Sequence, residues 1–527
     1  MESLGPTARV ARGATYLFIQ GFGTALIGLV YFVILARAFE QSQMGAYALL
    51  SFVLSAAQIF GTLSLQSAAV KYIAQYLAES KVEKAKAVAV RVLQVGLVAS
   101  VVTFLALFVP AQWISLLLFG VQDHAFLIRL LAVCTIFVIF YAFSVGILQG
   151  LQRMRDVAFI GLAYSLIHTG VGAFLLYLGW LLQAVVVGWL AGWAITSVAA
   201  LVLVARHLGV MGKPHPVRPL MKFSLPLCLS SSIVFLVAWI DQLFLVSYMS
   251  LLYGANEGQA ILGVYHVAIR ASIVPTLFSS AVVIALFPSL SELYAQQGLN
   301  GLRDAFRVSS RYSILIGFPL IIGLATLAYP VIVLFGEGQY NNATLPLIII
   351  SIAALVSTLG LAMSPILLTL ERTVVASLLS VVSVGLSLFL VYLMVVPLNL
   401  GMIGAAWART LTSILSFLLT FYVLSRHVPL SFDKKALWKA SAASVILVLA
   451  IVGIDVIRML LSPSSYQFLV IRLHLLPIYV IAGGLAYFIS LIMLKAFTKQ
   501  DLEILEEYLP SKLRWIATWL SRFVKVN

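Results

Sequence analysis

Three charged side chains stand inside long apolar runs, and they are the residues of this chain best placed to do chemistry. Asp241 lies in FSLPLCLSSSIVFLVAWIDQLFL, Arg270 in GVYHVAIRASIVP and Arg409 in GMIGAAWARTL. An ionised group at membrane depth costs about 2.5–3.5 kcal/mol on insertion scales, so such groups face a partner or a hydrated path. Asp241 and Arg270 can neutralise each other as an ion pair that fixes helix packing. The same carboxylate cannot also neutralise Arg409, and the surplus positive charge suits an anionic ligand. Arginine presents a planar fork matched to phosphate oxygens. Asp241 is then left to balance charge or to bind a coupling cation. Pro226 and Pro275 interrupt the same two runs. Each removes an intrahelical hydrogen bond, which either fixes a kink or allows the bending that gating requires.

The elements that must position these residues are membrane-spanning helices. The chain has 527 residues, of which 62% are hydrophobic and 10% charged. Soluble domains are nearer half apolar and a quarter charged, so the chain is read as an all-α polytopic membrane protein. Runs long enough to cross a core of about 30 Å recur about fourteen times. They cover 13–37, 45–75, 88–109, 125–150, 157–179, 182–205, 221–250, 263–290, 312–335, 344–369, 373–396, 400–425, 437–461 and 470–495. The first run, from Gly13 to Leu35, exceeds a signal-peptide core and is read as the first span.

A net charge of +15 does not imply nucleic acid here. Most basic residues gather in alternate connections, such as Lys81–Arg91, Arg153–Arg155, Lys213–Lys222 and Lys434–Lys439, as the positive-inside rule describes. This threading places both termini in the cytoplasm, and Asp241, Arg270 and Arg409 in the outer half of the membrane. Measured from predicted external ends at Ser250, Gly263 and Gly401, they lie about 13, 10 and 12 Å deep at 1.5 Å per residue. Cys134 and Cys228 lie inside apolar runs and read as small buried hydrophobes.

An internal repeat organises the spans. Gly45-Ala46-Tyr47 returns as Gly263-Val264-Tyr265, Phe119-Gly120 as Phe335-Gly336, Arg153 as Arg372, and Arg206-His207 as Arg426-His427. The expected division is a six-helix lobe over 1–210, a second over 211–430, two further helices over 431–498 and a cytoplasmic amphipathic tail over 499–527. An even number of spans per copy relates the copies by an axis along the membrane normal, the parallel-repeat class whose path runs between the halves. Arg270 corresponds to Phe52 and Asp241 to Gly23, so the scaffold is duplicated and the charges are not. In the tail, Trp515, Trp519 and Phe523 alternate with basic residues, as in a helix at an anionic surface. Leu299, Leu302 and Phe306 suggest a short surface helix.

Lesser candidates have structural readings. Asp455 and Arg458 are spaced to pair on one helix. His168 reads as a packing residue, and Gly146, Gly150, Gly188 and Gly192 as small-residue helix contacts. Asn342-Ala343-Thr344 is a glycosylation triplet. The sequence contains no glycine-rich phosphate loop, metal-ligand cluster or nucleophile with a base, so a secondary transporter rather than an enzyme is expected, without cofactor or metal.

The opening ARGATYLFIQGFGTALIGLVYFVILARAFEQSQMGAYALL, followed by LSLQSAAVKYIAQYL, FSLPLCLSSS…AWIDQ, GVYHVA and ALFPSLSEL, resembles the polysaccharide-transporter branch of the multidrug/oligosaccharidyl-lipid/polysaccharide flippase superfamily. The resemblance covers roughly the first 430 residues. It implies a flippase that turns an oligosaccharide linked to a polyprenyl phosphate or diphosphate from the cytoplasmic to the outer leaflet of the cell membrane. Membrane lipids and the substrate would be its partners, with glycan polymerases or glycosyltransferases alongside. Coupling to a proton or sodium gradient, or to the membrane potential, would drive it. Arg270 matches the place of a cavity-facing arginine in related lipid II flippases. Their arginines within the first two helices are missing here, where Arg37 lies at the end of the first. A drug/cation antiporter of the same superfamily is the alternative, in which Asp241 would be central.

Overall fold

The computed structural model describes residues 6–209, 214–336, 338–370, 372–461 and 475–498. The expected amphipathic tail from residue 499 lies outside them. No strand occurs among the described residues. The first half runs through α1 (Pro6–Ala38), α2 (Gln41–Thr62), α3 (Leu65–Ala78), α4 (Val82–Phe108), α5 (Ala111–Phe119), α6 (Ala125–Gly150), α7 (Met154–Tyr177) and α8 (Leu181–Leu208). The second runs through α9 (Val217–Tyr253), α10 (Ala255–Thr326), α11 (Ala328–Gly336), α12 (Thr344–Gly360), α13 (Met363–Thr369), α14 (Thr373–Val395) and α15 (Gly401–Ser425). Two more helices follow, α16 (Lys434–Leu461) and α17 (Leu476–Met493).

Among the described residues, 13 helices are long and apolar enough to cross a membrane. The expected span over 263–290 lies in α10, which is helical there; the side chains of 274–293 are outside the description. The chain is therefore a multi-pass, all-helical membrane protein. The repeat is visible in the order of elements. α5 and α11 are both 9 residues long, and each closes on a Phe-Gly pair. Gly120 ends α5 at φ 70, a left-handed cap that a glycine adopts without strain.

Compactness divides the chain elsewhere than at residue 210. One unit holds residues up to Val267 with Phe335–Gln339 and Ser380–Ala408; the other holds Ala268–Leu334, Tyr340–Leu379 and the chain from Arg409. In the first unit, Leu65, Ala69 and Ile73 of α3 pack with Val88 and Val92 of α4, Phe143 and Ile147 of α6, and Leu220 of α9. Glycine makes this packing close. A Cβ on Gly146 would lie 2.8 Å from the Gln66 carbonyl oxygen, and one on Gly188 2.9 Å from that of His168. Such small-residue contacts, expected at both positions, let helix backbones approach where lipid gives no hydrophobic drive between them. In the second unit, Ile314 and Phe318 of α10 pack with Leu447 and Ile451 of α16 and with Tyr479 and Tyr487 of α17.

Four elements differ from the sequence expectation. The run 45–75 is two helices, because Leu63 and Ser64 take φ 48 and 55, a left-handed pair that no apolar period records. The connection expected over 251–262 is helical except for Gly254, whose φ of 92 suits a one-residue turn. The run 344–369 divides into α12 and α13. The expected surface helix is instead part of α10 beyond its break at Gly298 (φ 60, ψ −139). Leu302 and Phe306 are fully buried there against Met363, Ile366 and Leu424 and face protein, whereas Leu299, the first residue of the expected stripe, is exposed.

Candidate functional site

Asp241 lies in α9 and is 1% exposed. The Gly254 turn folds α10 back along α9, and this register brings two consecutive pairs together. Tyr265 donates its hydroxyl to Asp241 Oδ2 at 2.6 Å. His266 Nδ1 meets Gln242 Oε1 at 2.8 Å, the ring nitrogen donating in the tautomer this bond requires. All four side chains are buried. A carboxylate at this depth requires donors, and Tyr265 supplies one without adding charge.

An aromatic wall flanks these pairs within the same unit. Trp239 stacks on His266 at 6.0 Å between centroids and meets Phe52 at 5.5 Å, while Phe52 stacks on Phe235 at 5.3 Å. A second stack joins α6, α7 and α8. Tyr164 lies 3.8 Å from Trp193 and 5.5 Å from His168, and Tyr141 meets Trp193 edge-on at 4.7 Å. His168 also receives Tyr31 edge-on at 4.8 Å. His168 packs among these rings, in keeping with the expected packing role. Their signal was present: Tyr164 and His168, and Trp189 and Trp193, are each one helical turn apart and therefore share a face.

Arg270 and Arg409 belong to the second unit, whereas Asp241 belongs to the first. Both arginines are partly buried. Arg270 lies about 22 Å along α10 from Ala255, and Asp241 about 18 Å before Tyr253, at the helical rise. Each is deeper along its helix than the sequence implied, because the turn is Gly254 alone. The Arg409 carbonyl accepts from Ser413 at 3.0 Å, and Thr410 donates to the Ile349 carbonyl at 3.0 Å, which ties α15 to α12 beside the arginine. At the corresponding first-half positions stand Phe52, in its ring stack, and Gly23, where a Cβ would lie 2.7 Å from Leu162 Cδ2.

α9 stays helical through Pro226, whose carbonyl accepts from Ser230 at 3.1 Å. Pro275 lies in helical backbone, and the non-helical residue inside α10 is Gly298 rather than a neighbour of the proline. The Asp455–Arg458 pair expected from spacing forms at 2.9 Å, and Tyr479 of α17 adds a bond of 3.0 Å to the same carboxylate oxygen. Among the described residues, no group of three or more His, Cys, Asp or Glu is arranged to hold a metal ion.

Residues 10–294 match the protein family described as polysaccharide biosynthesis protein. The probable low-salt glycan biosynthesis flippase Agl15 of Haloferax volcanii is 24% identical over 443 residues, which cover 83% of this chain and 88% of that one. Among solved structures, the lipid II flippase MurJ in an inward closed conformation is similar with a TM-score of 0.69 and 17% identity, over 91% of this chain and 99% of that chain. An outward-facing multidrug resistance MATE transporter of the MOP superfamily is similar with a TM-score of 0.62 and 16% identity, over 79% and 95%. At these identities the two structures speak for a common fold.

Proposed function

We propose that this chain, which belongs to the polysaccharide biosynthesis protein family, flips a lipid-linked oligosaccharide from the cytoplasmic to the outer leaflet of the cell membrane. The match over residues 10–294 carries the reading, and the likeness to a glycan biosynthesis flippase supports it. The physical problem agrees with this role. A sugar phosphate cannot cross hydrocarbon unaided, since burying one bare ion costs on the order of tens of kcal/mol by Born solvation. Fixed cations along a hydrated path replace the lost hydration while the lipid tail stays in the bilayer.

In this reading Arg270 and Arg409 hold phosphate through their guanidinium forks. Asp241, already hydrogen-bonded to Tyr265, moderates the positive charge or takes part in coupling. Pro226 and Pro275 provide the bending of α9 and α10. Both termini face the cytoplasm, in line with the distribution of Lys and Arg. A proton or sodium gradient, or the membrane potential, drives alternating access. Glycosyltransferases would supply the substrate and a polymerase would consume it.

The test is translocation of a polyprenyl-diphosphate-linked oligosaccharide in proteoliposomes. Arg270→Ala and Arg409→Ala are each expected to slow it about tenfold or more, the effect of losing a charge-assisted contact of about 1.5–3 kcal/mol. Undiminished flipping by both variants would sink the phosphate grip. Cation-driven efflux of an organic cation, lost in Asp241→Asn and unaccompanied by glycolipid flipping, would favour the antiporter instead.

A further inference from the structure

Both halves carry the pattern Gln-x-x-x-Gly-x-Tyr, as Gln41…Gly45-Ala46-Tyr47 and Gln259…Gly263-Val264-Tyr265. The spacing of four puts each glutamine and its glycine on one face of a helix, α2 in the first half and α10 in the second. In the structure these faces meet reciprocally. A Cβ on Gly45 would overlap the carbonyl of Gln259, and a Cβ on Gly263 would overlap the carbonyl of Gln41. Residue i of one repeat touches residue j of the other, and j touches i, as in a self-complementary dimer contact.

The glutamine side chains extend the exchange. Gln41 Nε2 donates to the Gln339 carbonyl, just beyond α11 of the second half. Gln259 Nε2 donates to the Phe119 carbonyl, the last residue of α5 in the first half, at 2.9 Å. Each half thus grips the chain that ends the other half's nine-residue helix. Gln339 in turn donates to the carbonyls of Ala36 at 2.8 Å and Phe39 at 3.2 Å, which secures the end of α1. All of these residues lie in the first compact unit. Behind the glycines, Tyr47, His266 and Phe32 close ring against ring, with centroids 5.9–6.1 Å apart.

We propose that the Gln41–Gly45 and Gln259–Gly263 pairs are the jaws of an outer gate. They close the path between the repeats on the face that the Lys and Arg distribution assigns to the outside, and must part when the path opens there. The inference rests on the transport reading. Glycine suits a contact that opens and closes, because it allows backbone-to-backbone approach and leaves no side chain to withdraw. The crossed amides supply polar ties that are exchangeable for water once the jaws part.

The experiment places spin labels at Glu40→Cys and Glu257→Cys, both exposed beside the jaws, in a Cys134→Ala/Cys228→Ala background, and reads their distance distribution. The parent is expected to give a dominant short distance. In Gln41→Ala/Gln259→Ala the longer-distance population rises about tenfold, the change expected from two lost net hydrogen bonds. Gly263→Ala, which forces the backbones apart, shifts the distribution in the same direction. An unchanged distribution in a folded glutamine double variant overturns the gate. A reducible bifunctional cross-link between the same two cysteines is expected to stop glycolipid flipping until it is cleaved, and flipping at the uncross-linked rate would also overturn it. If the parent flips no glycolipid, the transport reading fails separately, because the distance measurement needs no substrate.

Discussion

Tyr265 is one partner of the deeply buried Asp241, and its hydroxyl is 2.6 Å from Oδ2. Removing that hydroxyl while leaving the ring isolates the effect of the bond. Tyr265→Phe is expected to cost about 1–3 kcal/mol, the penalty for a buried acceptor that loses a donor. The measurement is thermal unfolding in detergent. Asp241→Asn in the same background should then cost less than it does alone, because residues in contact are not additive. Equal losses in both backgrounds would separate the two residues energetically. Asp241 was conspicuous in the sequence because it is a charge in an apolar run. Tyr265 was visible there only as a marker of the repeat. Its role depends on the register that Gly254 sets, which no hydropathy pattern encodes.

Helices α7 and α8 show what a glycine contributes when it faces backbone. The nearest atom to a Cβ on Gly188 is the His168 carbonyl oxygen at 2.9 Å, and a helix backbone cannot rotate aside as a side chain can. Gly188→Val should therefore push the pair apart and destabilise the protein by about 1–3 kcal/mol, as overpacking generally does. Gly385 of α14 has nothing within 4 Å of a Cβ. Gly385→Ala is expected to be neutral or to stabilise by up to about 1 kcal/mol through helix propensity. Paired melting curves check both, and a tolerant Gly188 with a sensitive Gly385 would reverse the assignment. The glycine pairs were legible as motifs, but the sequence could not say which glycines touch backbone.

Across the second unit, one arginine joins three segments. Arg311 of α10 contacts Asp433 at 2.6 Å and donates to the Ala496 carbonyl at 2.6 Å, so it holds both ends of the α16–α17 pair. Asp433 also caps α16 by accepting from the Ala436 N–H at 3.0 Å. Burial alone would raise its pKa, but the Ala436 and Arg311 hydrogen bonds outweigh burial and hold it below the usual carboxylate range. A lowered folded pKa means that the ionised form stabilises the fold. This contribution is complete above the unfolded-state pKa of about 3.9 and is lost as pH falls through the lower folded value. Asp433→Asn should destabilise the protein at neutral pH by about 1–3 kcal/mol of lost hydrogen bonding, read as a lower melting temperature, and its gap to the parent should narrow as pH falls below about 4. A gap unchanged by acid would assign the loss to packing. Membrane residence and an all-helical, many-span architecture were legible in the sequence, because hydrophobic length acts locally and is written residue by residue. Only the tertiary structure decided that α2 and α3 part at Leu63 and Ser64, that Leu302 and Phe306 face protein, and that Gln259 reaches Phe119. The first is a backbone turn that no apolar period records, and the other two depend on contacts between residues far apart in the chain.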